Sequence, residues 1–570
     1  MPDAYKKPLS SAVQRIRSSF HPLTLILCLF AATTPAARAQ DSLASQIQKS
    51  VETLPATVKV GIRTDLASMY RRRSYSPLWI QSNSLTPQGQ ELLQVLTAAD
   101  RDGLSPRDYN GADLSTRATN LTQGSHSAAE WAALDVAIST SGATYANHLH
   151  YGRIDARAAG FDMPARSDTL DSGALLEQIA ARGDTPGDTG RAGSAFEKIE
   201  PPFQHYRTLK NVLVEYRRLA AQPPLNALPA FAGKSIKPGE GYAGAPVLRT
   251  LLVALGDLPV EAKAADDVLL LDPALVAALK SFQFRHGLEQ DGALGKGTYA
   301  ALIRPLADRV REIELTLERF RWLPALDAPT IIVNIPQFRL FAFDSTGDHE
   351  AQMLTMNVIV GKTFPANRTP VFAGDMKYLI FRPYWDVPFS ITKKELVPHI
   401  RRDPAYMAAE NLEIVNSQSD RAVVVDPTPE NLDLLETGKY RLRQRPGEDN
   451  SLGLVKFMLP NHYNVYLHST PAKQLFQQSR RAFSHGCIRV SDPTALAEYV
   501  LKNTSGEWTR EKIADAMQNH DNERVNLTQN IRVLILYGTA IATEAGKVYF
   551  FEDIYGNDLR LANLLAQRTY

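Results

Sequence analysis

The sequence predicts a multidomain α+β protein: an α-helical scaffold, a small three-helix module, and a mostly β C-terminal domain interrupted by a helical insert. Three observations carry this expectation. The chain has 570 residues, too many for one hydrophobic core, so about three domains are expected. Its 44% hydrophobic and 22% charged content is that of an ordinary globular protein. Apolar residues recur at helical spacing as far as about residue 320, whereas beyond residue 330 they alternate in short runs bounded by Pro and Gly.

Residues 1–39 read as a secretory leader. A basic segment ends at Arg17, an apolar run covers Leu23 to Ala32, and Ala37-Arg38-Ala39 offers small residues for cleavage before Gln40. A run of about ten apolar residues is too short for a bilayer, which needs roughly 20. No later segment is long and apolar enough to span one, so the mature chain is expected to be periplasmic. The net charge of +2 falls below zero without the leader, because Lys6, Lys7, Arg15, Arg17 and Arg38 leave with it and only Asp3 opposes them. Nothing in this near-neutral balance points to nucleic-acid binding, which usually shows a strongly basic face. Cys28 also leaves, so Cys487 stands alone and no internal disulfide is possible.

Residues 40–243 form the scaffold. Helices are expected near Thr86–Ala99 and over Ala128–Tyr151, with 183–196 and 222–246 as Gly/Pro-rich loops. His148 and His150, two apart on a helix, do not share a face, so they read as structural rather than metal-binding. Arg71–Arg73 reads as a solvated run. Residues 244–305 form the small module: Val247, Leu248, Leu251, Leu252 and Leu255 mark one apolar face, Pro273–His286 is a second helix closed by Gly287, and a short helix starts at Thr298. Residues 306–329 are a charged amphipathic helix, Leu306–Phe320, and a linker.

The C-terminal domain is placed at 330–558, with 559–570 as a tail. Thr330–Phe343, broken at Pro336-Gln337, is a hairpin, and Met353–Val360 and Lys377–Phe381 are strands. Between about 390 and 446 the pattern turns helical and polar, clearest at Ile391–Met407 and Thr428–Leu435. Val465–His468 is a strand that turns Tyr466 and His468 to one face. Asp492 caps a helix through Leu501, and Val533–Thr543 with Lys547–Asp553 forms a terminal hairpin.

Chemistry concentrates at Ser484-His485-Gly486-Cys487-Ile488-Arg489, whose cysteine lies nineteen residues after His468. A lone thiol beside a glycine, with a histidine on a nearby strand, is what a cysteine nucleophile requires, because the thiolate is the reactive species. His468, on a facing strand, is the preferred base. His485 is the rival, two residues from the thiol. No metal-ligand set, phosphate loop or cofactor motif is visible.

Ser-His-Gly-Cys-hydrophobic-Arg preceded by Tyr466-Leu467-His468 resembles the active-site signature of the L,D-transpeptidases of bacterial peptidoglycan, in their large periplasmic form. The likeness extends to Tyr145–Arg153 in the scaffold, to the Phe282-Gln283…Gly287-Leu288…Asp291-Gly292…Thr298 pattern of a peptidoglycan-binding module, and to Thr369-Pro370 and Lys456-Phe457. Asp386 stands where the family usually has asparagine and Ser469 where relatives often have aspartate, so Asp386 is left out of the catalytic set. The resemblance implies that Cys487 attacks a tetrapeptide stem, that D-Ala leaves, and that a second stem accepts the acyl group in a 3→3 cross-link. It implies His468 as base and the Gly486 and Cys487 N–H groups as oxyanion donors, with Tyr466 either a further donor or a packed aromatic. Ser484 and His485 would shape the pocket. Arg489 would hold a substrate carboxylate or form a structural ion pair. The 390–446 insert would be a cap, and carbapenem β-lactams would acylate Cys487. Water or a protein lysine as acceptor, and a non-catalytic wall-binding scaffold, are the alternatives.

Overall fold

Local capping chemistry sets where the scaffold helices begin. Thr86 accepts from the Gly89 N–H and Pro87 occupies the first turn, opening Pro87–Thr97. Ser127 and Glu130 form a reciprocal capping box that opens Ala128–Tyr151. Small residues on that long helix, among them Ala132, Gly142, Ala143 and Ala146, let its neighbours approach closely in one continuous scaffold core. Asp135 is fully buried there without being orphaned: its carboxylate accepts from the Tyr70 hydroxyl and the Leu78 and Trp79 N–H groups. His148 shares a hydrogen bond with the Tyr109 hydroxyl at 3.0 Å, and His150 donates to the Ile199 carbonyl at 2.7 Å, so both are structural.

The structure is a computed structural model that describes residues 35–181, 192–223, 227–262, 268–324, 326, 329–345, 349–417, 422–518 and 521–567. Residues 1–34 of the expected leader lie outside them, and description begins with a helix, Pro35–Glu52. No helix among the described residues is long and apolar enough to cross a membrane.

The architecture is multidomain α+β, as the sequence predicts. In the small module, helices Ala245–Ala254, Pro273–Arg285 and Lys296–Leu302 share a core centred on Leu248, Leu251, Leu279 and Phe282. Val247, expected on the apolar face, is 39% exposed, because the buried stripe is set by Leu248, Leu251 and Leu252. The helix Leu306–Phe320 packs on Gln204–Ala220, and its Glu318 accepts from the Arg153 and Ile154 N–H groups.

The C-terminal domain is one nine-stranded sheet. Its strands are β1 (Thr330–Asn334), β2 (Arg339–Phe343), β3 (Leu354–Gly361), β4 (Phe372–Phe381), β5 (Val455–Met458), β6 (Leu467–His468), β7 (Ala482–Ser484), β8 (Ile488–Val490) and β9 (Glu523–Leu536). Their spatial order is β7-β3-β8-β6-β5-β4-β9-β1-β2, and an added β2–β3 pairing closes the sheet on itself. Pairs β6–β8, β3–β7 and β1–β9 are parallel and the rest antiparallel.

Other expectations change, among them the Val465–His468 strand, which is only Leu467–His468. The 183–196 loop contains a helix, Ala192–Glu197. The expected Ile391–Met407 helix is interrupted at Asp403-Pro404, between Val397–Arg402 and Ala405–Ala409, and the insert's strands Leu412–Val415, Val424–Val425 and Arg441–Gln444 form a four-stranded sheet with Trp385–Asp386 just before it. The segment 533–543 is split: Val533–Leu536 belongs to β9, and only Ala540–Ala542 pairs with Val548–Phe550. That hairpin packs against Gln204–Ala220 and Leu306–Phe320 instead of extending the main sheet. The expected tail is a helix, Asn557–Gln567, whose Leu561 and Leu565 join the sheet's core.

Candidate active site

Three adjacent strands assemble the site. Lys456 on β5 is directly opposite His468 on β6, and His468 is directly opposite Arg489 on β8. Directly paired residues point to the same face, and the two-residue period of a strand adds the flanking Tyr466 and Cys487 to it. Lys456, Tyr466, His468, Cys487 and Arg489 therefore share one face, although 33 residues separate Lys456 from Arg489.

The turn before β8 is built from its own short side chains. Ser484 is buried, accepts from the Gly486 N–H at 3.1 Å, and donates to the Cys487 carbonyl at 2.5 Å. Gly486 has φ +124°, open to glycine alone without strain. The Thr369 hydroxyl ties this turn to β3, donating to the Gly486 carbonyl at 2.7 Å and accepting from the Gly361 N–H at 2.9 Å. Tyr555 donates to the Gly361 carbonyl from the other side at 2.6 Å. The Gly486 N–H, an expected oxyanion donor, faces the Ser484 hydroxyl here. Gly486 serves by its conformation.

His468 is 4% exposed, and its Nδ1–H donates to the Ser469 carbonyl at 2.5 Å. A carbonyl only accepts, so Nε2 carries the lone pair. The orienting group is backbone, which makes serine at 469 sufficient. Burial, reinforced by the Arg489 charge, lowers the His468 pKa to about 3. The imidazole is thus neutral at physiological pH, the form a base needs.

The half-buried Cys487 thiol donates to the Asn464 carbonyl at 3.7 Å. Among the described residues no hydrogen bond joins it to His468. Burial pushes its pKa up, while hydrogen bonds from Tyr466 and the charges of Lys456 and Arg489 pull it down. Burial keeps Tyr466 protonated, hence a donor to sulfur. The Tyr466 and His468 rings lie 5.8 Å apart.

The remaining residues divide. His485 pairs through Nε2 with Glu395 of the insert at 3.2 Å. Arg489 is half-buried and its Nε has no partner among the described residues. Lys456 was singled out in the sequence only as part of the Lys-Phe likeness. A charged residue alternating with buried Val455 and Phe457 was the signal that it faces something. Tyr555 and Glu395 were missed because their proximity is set by long-range packing. No group of three or more His, Cys, Asp or Glu among the described residues could hold a metal ion.

Comparisons with known proteins fit this arrangement. Residues 328–512 match the family model described as "L,D-transpeptidase catalytic domain". Residues 246–302 match "Putative peptidoglycan binding domain" and 64–213 match "Scaffold domain". A curated protein of Haemophilus influenzae, "Putative L,D-transpeptidase", is 31% identical over 252 residues, covering 44% of this chain and 49% of that protein. The chain thus spans about half the length of that relative.

Proposed function

We propose that the L,D-transpeptidase catalytic domain this chain carries joins peptidoglycan stem peptides through a Cys487 thioester, in the periplasm. The observation supporting this most is the shared face that holds Cys487, Tyr466 and a neutral, backbone-oriented His468.

His468 Nε2 takes the Sγ proton as sulfur bonds to the carbonyl carbon of the third residue of a tetrapeptide. The Cys487 N–H and the Tyr466 hydroxyl stabilise the oxyanion. Collapse breaks the amide C–N bond, the proton passes from His468 to the departing D-Ala amine, and a thioester remains. The side-chain amine of a second stem then attacks the thioester. His468 takes that amine's proton and returns it to sulfur as the C–S bond breaks, leaving a 3→3 cross-link and a free thiol. Arg489, with its unpartnered Nε, is suited to a substrate carboxylate. The insert, joined to the motif through Glu395 and His485, covers the donor site. The 246–302 module holds glycan. A carbapenem would acylate the same thiol.

The test incubates the full mature chain with a diaminopimelate disaccharide-tetrapeptide and separates the products by mass. A cross-linked dimer with released D-Ala is the expected result. Tripeptide alone would make water the acceptor, and no turnover on intact sacculi would overturn the reading.

A further inference from the structure

We infer that Lys456 is a positioning residue that supplies the fixed positive charge against which the Cys487 thiolate forms. The inference rests on Cys487 being the nucleophile. Lys456 Nζ lies 3.9 Å from the centroid of the Tyr466 ring, and Tyr466 is the neighbour that most lowers the pKa of the Cys487 thiol. The strand register puts the same lysine directly opposite His468.

Three further points give this placement meaning. First, no carboxylate among the described residues forms an ion pair with Lys456. Its electrostatic neighbours are Cys487 and Asp386, and Asp386 is itself paired with Arg441 at 3.2 Å. A half-buried ammonium with no counter-ion costs free energy unless an anion arrives. Second, His468 does not provide the usual countercharge: buried and flanked by Lys456 and Arg489, it stays neutral down to about pH 3. A resting thiolate–imidazolium pair is therefore disfavoured, and the countercharge must come from a cation other than His468; burial lowers the Lys456 pKa, and the Cys487 and Asp386 charges hold its ammonium form. Third, a cation on the face of a phenol ring is attracted by the ring and strengthens its hydroxyl as a donor to sulfur. Lys456 exchanges no proton and forms no bond in the cycle.

Iodoacetamide reports this without any peptidoglycan substrate. The Cys487 thiolate displaces iodide, and the extent is read by mass on the Cys487 peptide across pH 5–10. Lys456→Met should move the midpoint of the profile up by about one pH unit, slowing alkylation roughly tenfold below it, the size expected for loss of one nearby fixed charge. Lys456→Gln should behave the same, and Lys456→Arg should restore the wild-type midpoint. A lowered melting temperature with an unmoved midpoint would make the lysine merely structural and overturn the inference. A raised KM for tetrapeptide with an unmoved midpoint would make it a substrate carboxylate clamp and overturn it equally. A shifted midpoint in a protein that cross-links nothing would sustain the inference while the proposed function fails.

Discussion

Lowering the pH from 7 to 5 should destabilise the C-terminal sheet through His468. In the folded protein its pKa is about 3, and in the unfolded chain it reverts to about 6.5. Between those values the unfolded chain binds a proton that the folded one refuses, so stability is present at neutral pH and is lost as pH falls below 6.5. The difference in proton binding integrates to about 2 kcal/mol between pH 7 and pH 5. With His468 only 4% exposed, solvent screening does little to reduce it. The variant is His468→Gln, which keeps a polar side chain but does not titrate. Hydrogen exchange by mass spectrometry on peptides covering β5, β6 and β8 gives the opening free energy at each pH. His286, whose burial also holds it neutral, titrates in both proteins and cancels in the comparison. Wild type should lose about 2 kcal/mol more than His468→Gln over this interval. Equal losses would mean that His468 is not buried in its neutral form, and the case for a fixed neutral base would fail with it.

Two other perturbations follow from the packing. A Cβ on Gly361 would sit 1.9 Å from the Asn367 carbonyl oxygen and 2.7 Å from the Thr369 nitrogen. Both are backbone atoms, so Gly361→Ala should destabilise the domain by about 3 kcal/mol in urea unfolding and slow Cys487 alkylation, because Thr369 links Gly361 to the Gly486 turn. Arg285 and Asp257 form a fully buried bidentate pair between the small module's helices, with Arg285 also reaching the Val548 carbonyl. Arg285→Met removes the bidentate partner and leaves Asp257 with Lys547 at 3.7 Å and the Ser281 hydroxyl, and should cost about 3 kcal/mol, read as faster limited proteolysis within 246–302.

Much of this was legible locally. The caps at Thr86, Ser127 and Asp492 announce their helices, and the β1–β2 hairpin follows from alternation around Pro336-Gln337. The motif at 484–489 and the strand carrying His468 point to the nucleophile and base because each signal lies within a few residues. What stayed hidden depends on register between distant segments. The row Lys456–His468–Arg489 exists only once three strands pair, and Ser484's hold on the Gly486 N–H only once the turn closes. The insert's strands are two to four residues long, too short for a period to show. The Asn557–Gln567 helix has its apolar stripe at Leu561 and Leu565, but position at the chain end suggested a tail.

The most direct test is to map where the acyl group sits. Full-length protein is incubated with tetrapeptide stem, quenched in acid and digested, and the peptide containing Cys487 is weighed beside that of Cys487→Ala. The expected result is a tripeptide-acyl increment on Cys487 that hydroxylamine removes, with no adduct and no cross-link in the variant, whose melting temperature is unchanged. Cross-linking that persists in Cys487→Ala, or an acyl group mapped to another residue, would contradict it.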